Sequence, residues 1–139
     1  MESLPPAVYC DTSALAKLVF DERESGEFAA FVDRSSGQLV SSQFGEIELM
    51  RAAGRIDSET VDSVLEILAQ TILLPMTSSI QLRASYVRPP LLRSLDAIHL
   101  ATAMEILVDL ECLVTYDRRL AEAASEAGLK VVSPGAQPV

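Results

Sequence analysis

Four carboxylates sit where an acid is either costly or only partly explained by local structure. Asp11 follows the apolar run AVYC and precedes Thr12, Ser13 and an amphipathic stretch, within VYCDTSAL. Asp117 repeats the arrangement in LVTYDRRLAEA: apolar run, carboxylate, helix signal. Each has a local reading as a helix N-cap, worth about 1 kcal/mol, and that reading is the stronger at Asp117. At Asp11, Thr12 and Ser13 could cap equally well, which would leave its carboxylate free for a site. Asp96 lies in LLRSLDAIHLATAMEIL. With Ser94 as N-cap it falls in the first helical turn, where the helix dipole favours an acid. Its surroundings, however, are Leu92, Leu95, Ile98, Leu100 and Ala103. A carboxylate on so apolar a helix must be paired, hydrogen-bonded or metal-bound. The fourth acid is Glu48. Spacing of i and i+4 groups it with Phe44 and Ala52 on one helix face, whereas Glu46 lies about 200° round and reads as solvated. Arg51, at i+3, could pair with Glu48.

No single one of these acids decides a function, but their placement together does. Two follow strands and two lie on helices that can turn towards the same edge of a sheet. Unit charges ~4 Å apart repel by about 4 kcal/mol at an effective dielectric of 20, so such a gathering is not a stability device. A divalent cation removes the repulsion, and hard oxygen donors select Mg2+ or Mn2+ over softer-ligand metals.

The elements that must position the acids follow from periodicity. AVYC, GQLVSS, ILLPM, CLVTY and KVVS read as short strands, with ILLPM at an edge because of Pro75. Between them, SALAKLVFDE and EFAAFVDR read as two short helices and EIELMRAAGRI as a third. Further helices fall on SETVDSVLEILAQ, with Ser58 as N-cap, on SIQLRASYV, on LDAIHLATAMEILV and on RRLAEAASEA. Gly128 closes the last of these as a C′ residue. Strands alternating with helices imply an α/β fold with a mainly parallel sheet of four to five strands covered on both faces. Ligands of such sheets lie beyond the carboxyl ends of the strands, where Asp11 and Asp117 fall. The whole chain, residues 1–139, reads as a single domain with its core at about 8–132 and a flexible tail at 133–139.

Composition narrows the classes. At 139 residues and 49% apolar, the chain is long and hydrophobic enough for one packed core. A formal charge of −9 argues against a general nucleic-acid coat but fits a basic partner or a cation site. The start MESLPPAV lacks the features of a signal peptide, and the apolar runs fall short of the ~18 residues of a membrane span. Cys10 and Cys112 lie inside apolar runs, as buried small hydrophobes of a reducing compartment, which points to the cytoplasm. With His99 the only histidine and no CxxC, the sequence argues against a zinc site.

DTSAL, EIELMRA, SLDAIHLATA and LVTYDRRLAEAA together resemble a PIN-domain ribonuclease, of the VapC type found as toxins in toxin–antitoxin pairs, from about Val8 to Val132. The resemblance implies a three-layer α/β/α fold and carries Asp11, Glu48, Asp96 and Asp117 over as an acidic quartet around Mg2+ or Mn2+. Ser13 and Thr115 match small hydroxyl positions lining it. The implied activity is hydrolysis of RNA phosphodiester bonds. Asp11 and Asp96 are the first choice as direct ligands, Asp117 ligates directly or through water, and Glu48 orients or deprotonates the attacking water. With no catalytic His or Lys evident, water is the expected nucleophile; His99 is read chiefly as a core residue. Candidate phosphate contacts are Arg88, Arg93 and Arg118, with Lys17, Arg51 and Arg119 as further cations near the motifs. YVRPPLLR, with Tyr86, is the candidate substrate-reading loop. The resemblance also implies a cognate antitoxin, inhibition of translation and growth on release from it, and a homodimer within a larger complex. The apolar early helices, with Leu15, Leu18, Val19, Phe20, Phe28 and Phe31, supply core and in part an interface.

Rival readings fit less well. A receiver-type phosphoacceptor wants paired acids after the first strand and an Asp after the third, but ILLPMTSS has none. A haloacid-type phosphatase needs two acids spaced two apart where this chain has DTS. A non-catalytic PIN-like module that binds RNA or a partner remains the alternative.

Overall fold

A computed structural model describes residues 5–35 and 37–136. The elements run β1 (Ala7–Cys10), α1 (Thr12–Lys17), α2 (Ser25–Arg34), β2 (Gln38–Ser42), α3 (Gln43–Gly54), α4 (Ser58–Ala69) and β3 (Ile72–Leu74). They continue with α5 (Ser78–Tyr86), α6 (Ser94–Glu105), β4 (Leu110–Val114), α7 (Arg118–Glu126) and β5 (Val131–Val132). The five strands form one sheet in the order β3-β2-β1-β4-β5, and every pairing is parallel. The α/β class, the parallel sheet and the edge position of the ILLPM strand agree with the expectation; that strand stops at Leu74, before Pro75.

The three layers follow from side-chain alternation along the central strand. Val8 and Cys10 point into one core with Leu15, Phe28, Leu49, Val64 and Leu68, from α1 to α4. Ala7 and Tyr9 point into the other, with Leu100, Leu120 and Ala123 from α6 and α7. α5 packs on the outer side of α6.

Several local expectations are corrected. The helix after Asp11 ends at Lys17 rather than running to residue 22. Leu18, Val19 and Phe20 fold back onto the core instead. α4 is capped by Asp57, whose Oδ1 accepts the Thr60 N–H at 2.8 Å, so Ser58 is its first residue. At α6 the N-cap position is Arg93, with no side-chain cap, and Ser94 opens the helix. Gly128 does follow α7 with φ 92°, a backbone state open to glycine. Residues 133 and 134, where the tail is expected to begin, are hydrogen-bonded to the segment after β4. The Ser133 hydroxyl donates to the Thr115 carbonyl at 2.6 Å and the Tyr116 hydroxyl to the Pro134 carbonyl at 2.7 Å. Residues 137–139 of the expected tail lie outside the described ones. Among the described residues, no helix is long and apolar enough to cross a membrane. Cys10 and Cys112 are buried free thiols.

Candidate metal centre

Register brings the first two acids together. β1 lies beside β4 with Cys10 opposite Val114, so Asp11 and Thr115 leave adjacent strand ends side by side. The strand order changes direction between them, the crevice where doubly wound sheets bind ligands. Asp11 is 3% exposed, with both carboxylate oxygens hydrogen-bonded. Its Oδ2 accepts the Thr115 hydroxyl at 2.6 Å. Its Oδ1 accepts the Ser13 hydroxyl at 2.7 Å and the Ala14 N–H at 2.9 Å. Asp11 is therefore the N-cap of α1, and the expectation that Thr12 or Ser13 would cap in its place is overturned. Its Oδ1 reaches the N–H three residues on, the ordinary reach of an N-cap side chain. Capping uses Oδ1, and Oδ2 keeps a lone pair for another partner.

The two hydroxyls tie Asp11 to the turn that carries Asp117. Ser13 Oγ also accepts the Tyr116 N–H at 2.9 Å, and Thr115 Oγ1 accepts the Asp117 N–H at 3.0 Å. Burial pushes the Asp11 carboxyl up to about 6 against the hydrogen bonds from Thr115, Ser13 and Ala14, which pull it down; Asp96 adds a small upward push.

Asp117 caps α7 through Oδ1, which accepts the Arg119 and Leu120 N–H groups at 2.9 and 3.1 Å. Its Oδ2 accepts from Arg93 Nη2 at 2.8 Å. The same guanidinium donates from Nε to Asp96 Oδ2 at 3.2 Å. Asp96 is buried in the first turn of α6, as its apolar neighbours demand. Burial and then Asp117 raise its pKa, and the Arg93 charge opposes them.

Glu48 is carried by α3, which approaches closely because Gly45 has no side chain. A Cβ there would lie 3.1 Å from His99 Cε1 and 3.3 Å from Thr12 Oγ1. Glu48 lines the same groove as Asp11, Asp96 and Asp117, a cavity of about 460 Å³. The expectation that it faces inward needs one correction: Glu48 is exposed and Glu46 half-buried, because the face it shares looks into an open groove. Among the described residues no ion pair joins it to Arg51.

His99, which also lines the groove, is held between Tyr9, whose hydroxyl lies 2.7 Å from Nδ1, and Thr12, whose hydroxyl lies 3.3 Å from Nε2. Burial holds it down at about 4, so it is neutral at pH 7. That is a core histidine with satisfied ring nitrogens. Thr12 and Tyr9 are the residues sequence reasoning missed as partners of His99; 87 and 90 residues separate them from it, and no local pattern marks the pairing.

The donor set suits a hard divalent cation, being all carboxylate and hydroxyl oxygen. Among the described residues, no three His, Cys, Asp or Glu side chains converge on one point in this conformation. The Arg93 guanidinium spans Asp96 and Asp117 instead, and supplies the positive charge that three neighbouring carboxylates require.

The cations near the motifs divide. Lys17 is committed to Glu24 at 2.6 Å and Glu22 at 3.5 Å and lies over the Tyr116 ring, so it is not free for phosphate. Arg118 faces solvent beside Glu122 at 3.9 Å. Arg88, Arg51 and Arg119 are exposed. Leu15 and Phe28 are fully buried, whereas Phe44, Ile47, Ile56 and Leu65 leave apolar surface on and around α3 and α4.

A family model described as PIN domain matches residues 8–126. Ribonuclease VapC47 and Ribonuclease VapC35 of Mycobacterium tuberculosis are 39% and 41% identical, over 93% and 92% of this chain and 98% and 97% of theirs. A toxin–antitoxin complex from Klebsiella pneumoniae is similar in structure, with TM-score 0.70 and 26% identity over 91% of this chain and 97% of that one. VapC20 of Mycobacterium tuberculosis, described as a sarcin–ricin loop cleaving toxin, shares the fold at TM-score 0.72 and 17% identity, over 91% of this chain and 99% of that one. The chain belongs to the PIN-domain family.

Proposed function

We propose that this chain is an endoribonuclease dependent on Mg2+ or Mn2+, acting in the cytoplasm as the toxin of a toxin–antitoxin pair and arresting translation when its antitoxin is lost. The observation that carries the reading is the groove: four acids, two following β1 and β4 and two on α3 and α6, line one cavity at the carboxyl edge of the sheet. The names of the relatives, ribonucleases of the VapC type, support it.

Asp11 and Asp96 would hold the cation, with Asp117 as a third ligand, direct or through water. Bound there, it would lower the pKa of a coordinated water and neutralise charge on the scissile phosphate. Ser13 and Thr115 fix the Asp11 carboxylate in one rotamer, so the ligand is oriented before anything binds. Glu48, exposed in the groove, would orient the attacking water or accept its proton. His99, neutral and doubly hydrogen-bonded, is not a proton carrier at pH 7. Water as nucleophile leaves 5′-phosphate and 3′-hydroxyl ends. A basic antitoxin segment suits the acidic groove, and the apolar surface of α3 and α4 offers room for a homodimer contact.

The test induces the wild type, Asp11→Asn and Asp96→Asn without antitoxin, and maps RNA ends made by the purified proteins. Growth arrest and Mn2+-dependent cleavage are expected of the wild type. In the variants, cleavage falls on the order of 10²–10³-fold, the scale of losing one preorganised electrostatic group. Identical behaviour of all three would leave the non-catalytic binding module as the reading.

A further inference from the structure

Behind the acids, on the other side of α6, lies a second and larger cavity of about 600 Å³. Its walls come from α5, from the loop at 87–93 and from Ser94, Ala97 and Ile98 of α6. The size falls within the ~300–1,000 Å³ of small-ligand sites.

Its chemistry is the reverse of the groove's. The chain carries 20 acids and a formal charge of −9, yet no Asp or Glu lines this cavity, and Arg88 does. Met76, Ala84 and Ala97 give it an apolar floor, and Gln81 supplies an amide. At the wall stands Tyr86, 78% exposed, an aromatic ring kept in water with nothing of this chain covering it. An open aromatic face, an amide and an arginine are the groups that hold an unstacked base and its phosphate.

We propose that this cavity is a nucleobase subsite, taking one unstacked base of a single-stranded RNA whose backbone continues into the acidic groove. The inference rests on the ribonuclease reading and deepens it, since the subsite would set the sequence at the cut. Tyr86 is the stacking platform, Gln81 meets a base edge and Arg88 a flanking phosphate.

Continuity supports this. Leu95, Asp96 and His99 of α6 face the groove while Ser94, Ala97 and Ile98 face the cavity, on a helix only ~10–12 Å across. A short stretch of extended single strand spans that width. Arg93 ends the cavity's loop and reaches Asp96 and Asp117, so it stands at the junction. Charge favours RNA over a protein occupant. A partner attracted to a chain of −9 is basic and belongs in the acidic groove, whereas an acid-free cavity holding an arginine suits a polyanion.

The test compares wild type, Tyr86→Ala, Tyr86→Phe and Arg88→Gln on a random-sequence single-stranded RNA. Cleavage with Mn2+ is mapped and its kinetics measured, and binding is followed by fluorescence anisotropy in an Asp96→Asn background. Both positions are exposed, so folding is not at stake. Tyr86→Ala should raise KM about tenfold, the effect of losing one base–aromatic stack, with kcat little changed. It should also relax the base preference at one position beside the cut, and Tyr86→Phe should restore both. Arg88→Gln should raise KM without altering that preference, because phosphate contacts carry no sequence information.

If the wild type cleaves and both Tyr86→Ala and Arg88→Gln keep its KM and its cut-site map, the subsite is wrong while the ribonuclease reading stands. Loss of neutralisation by a co-expressed antitoxin, with RNA kinetics unchanged, assigns the cavity to the protein partner and overturns the proposal. If the wild type cuts nothing, anisotropy decides. RNA binding lost in Tyr86→Ala upholds the base subsite in a binding module, and no RNA binding at all removes both readings.

Discussion

Asp11 and Asp117 occupy equivalent places: each follows a strand at the carboxyl edge and caps the next helix through Oδ1. Their second oxygens live differently. That of Asp11 is buried and held by the Thr115 hydroxyl, whereas that of Asp117 meets the guanidinium of a largely exposed arginine. One acid is buried and oriented by neutral dipoles; the other is neutralised by a side chain that can leave. The difference shows that capping occupies one oxygen of each aspartate and leaves the other to a separate partner. Burial then decides which aspartate carries electrostatic strain.

The largest expected contrast is in stability without metal. Asp11 has a folded pKa raised above its unfolded value, so its ionisation opposes folding as pH rises from about 4 to about 6. Asp11→Asn should therefore stabilise the metal-free protein at pH 7 by up to about 3 kcal/mol, measured by urea unfolding in EDTA. Asp117→Asn should change little, since Asn caps as well as Asp. Equal effects at the two positions would erase the distinction.

A pH series sharpens the same point. His99 has a folded pKa lowered to about 4, so its contribution is present above pH 6.5 and is lost as pH falls towards 4. In the wild type this opposes the Asp11 effect over nearly the same window, and stability should be almost flat between pH 4 and 6. In Asp11→Asn the histidine is opposed by Asp96, whose pKa burial raises, but no longer by Asp11, and the unfolding midpoint should climb with pH across that range. A flat profile in the variant would mean that Asp11 carries no such strain.

Arg93→Gln probes the Asp117 side. With the competing cation removed, Mn2+ should bind more tightly by calorimetry, though by less than about tenfold, because pairs this exposed are screened. Weaker binding would make Arg93 a support for the site rather than its place-holder.

Much of this was legible in the residues. Apolar runs four or five long, alternating with amphipathic stretches, specify a parallel sheet with two covered faces. The carboxylates of Asp11 and Asp117 mark the strand ends that open onto its crevice. An acid at position 96 amid leucines already required a partner. What resisted reading was local competition among similar groups. Asp11, Thr12 and Ser13 can each cap a helix in isolation, and only the position of β4, over a hundred residues away, decides that Thr115 claims Oδ2. Helical angle separates Glu48, which lines the groove, from Glu46. Their exposures came out opposite to that angle's simplest meaning, because the groove is open to water.

The sequence by itself determined the element order, the family's acidic motifs and the oxygen-only donor chemistry, since these depend on residue type and short-range periodicity. Tertiary structure decided which oxygen of each acid is left over, that Lys17 is spent on Glu22 and Glu24, and that Arg93 bridges Asp96 and Asp117. It also set an acid-free cavity against the far side of the same helix. These outcomes depend on parallel register and on helix faces meeting across long separations. No local pattern encodes distances between residues that only folding makes neighbours.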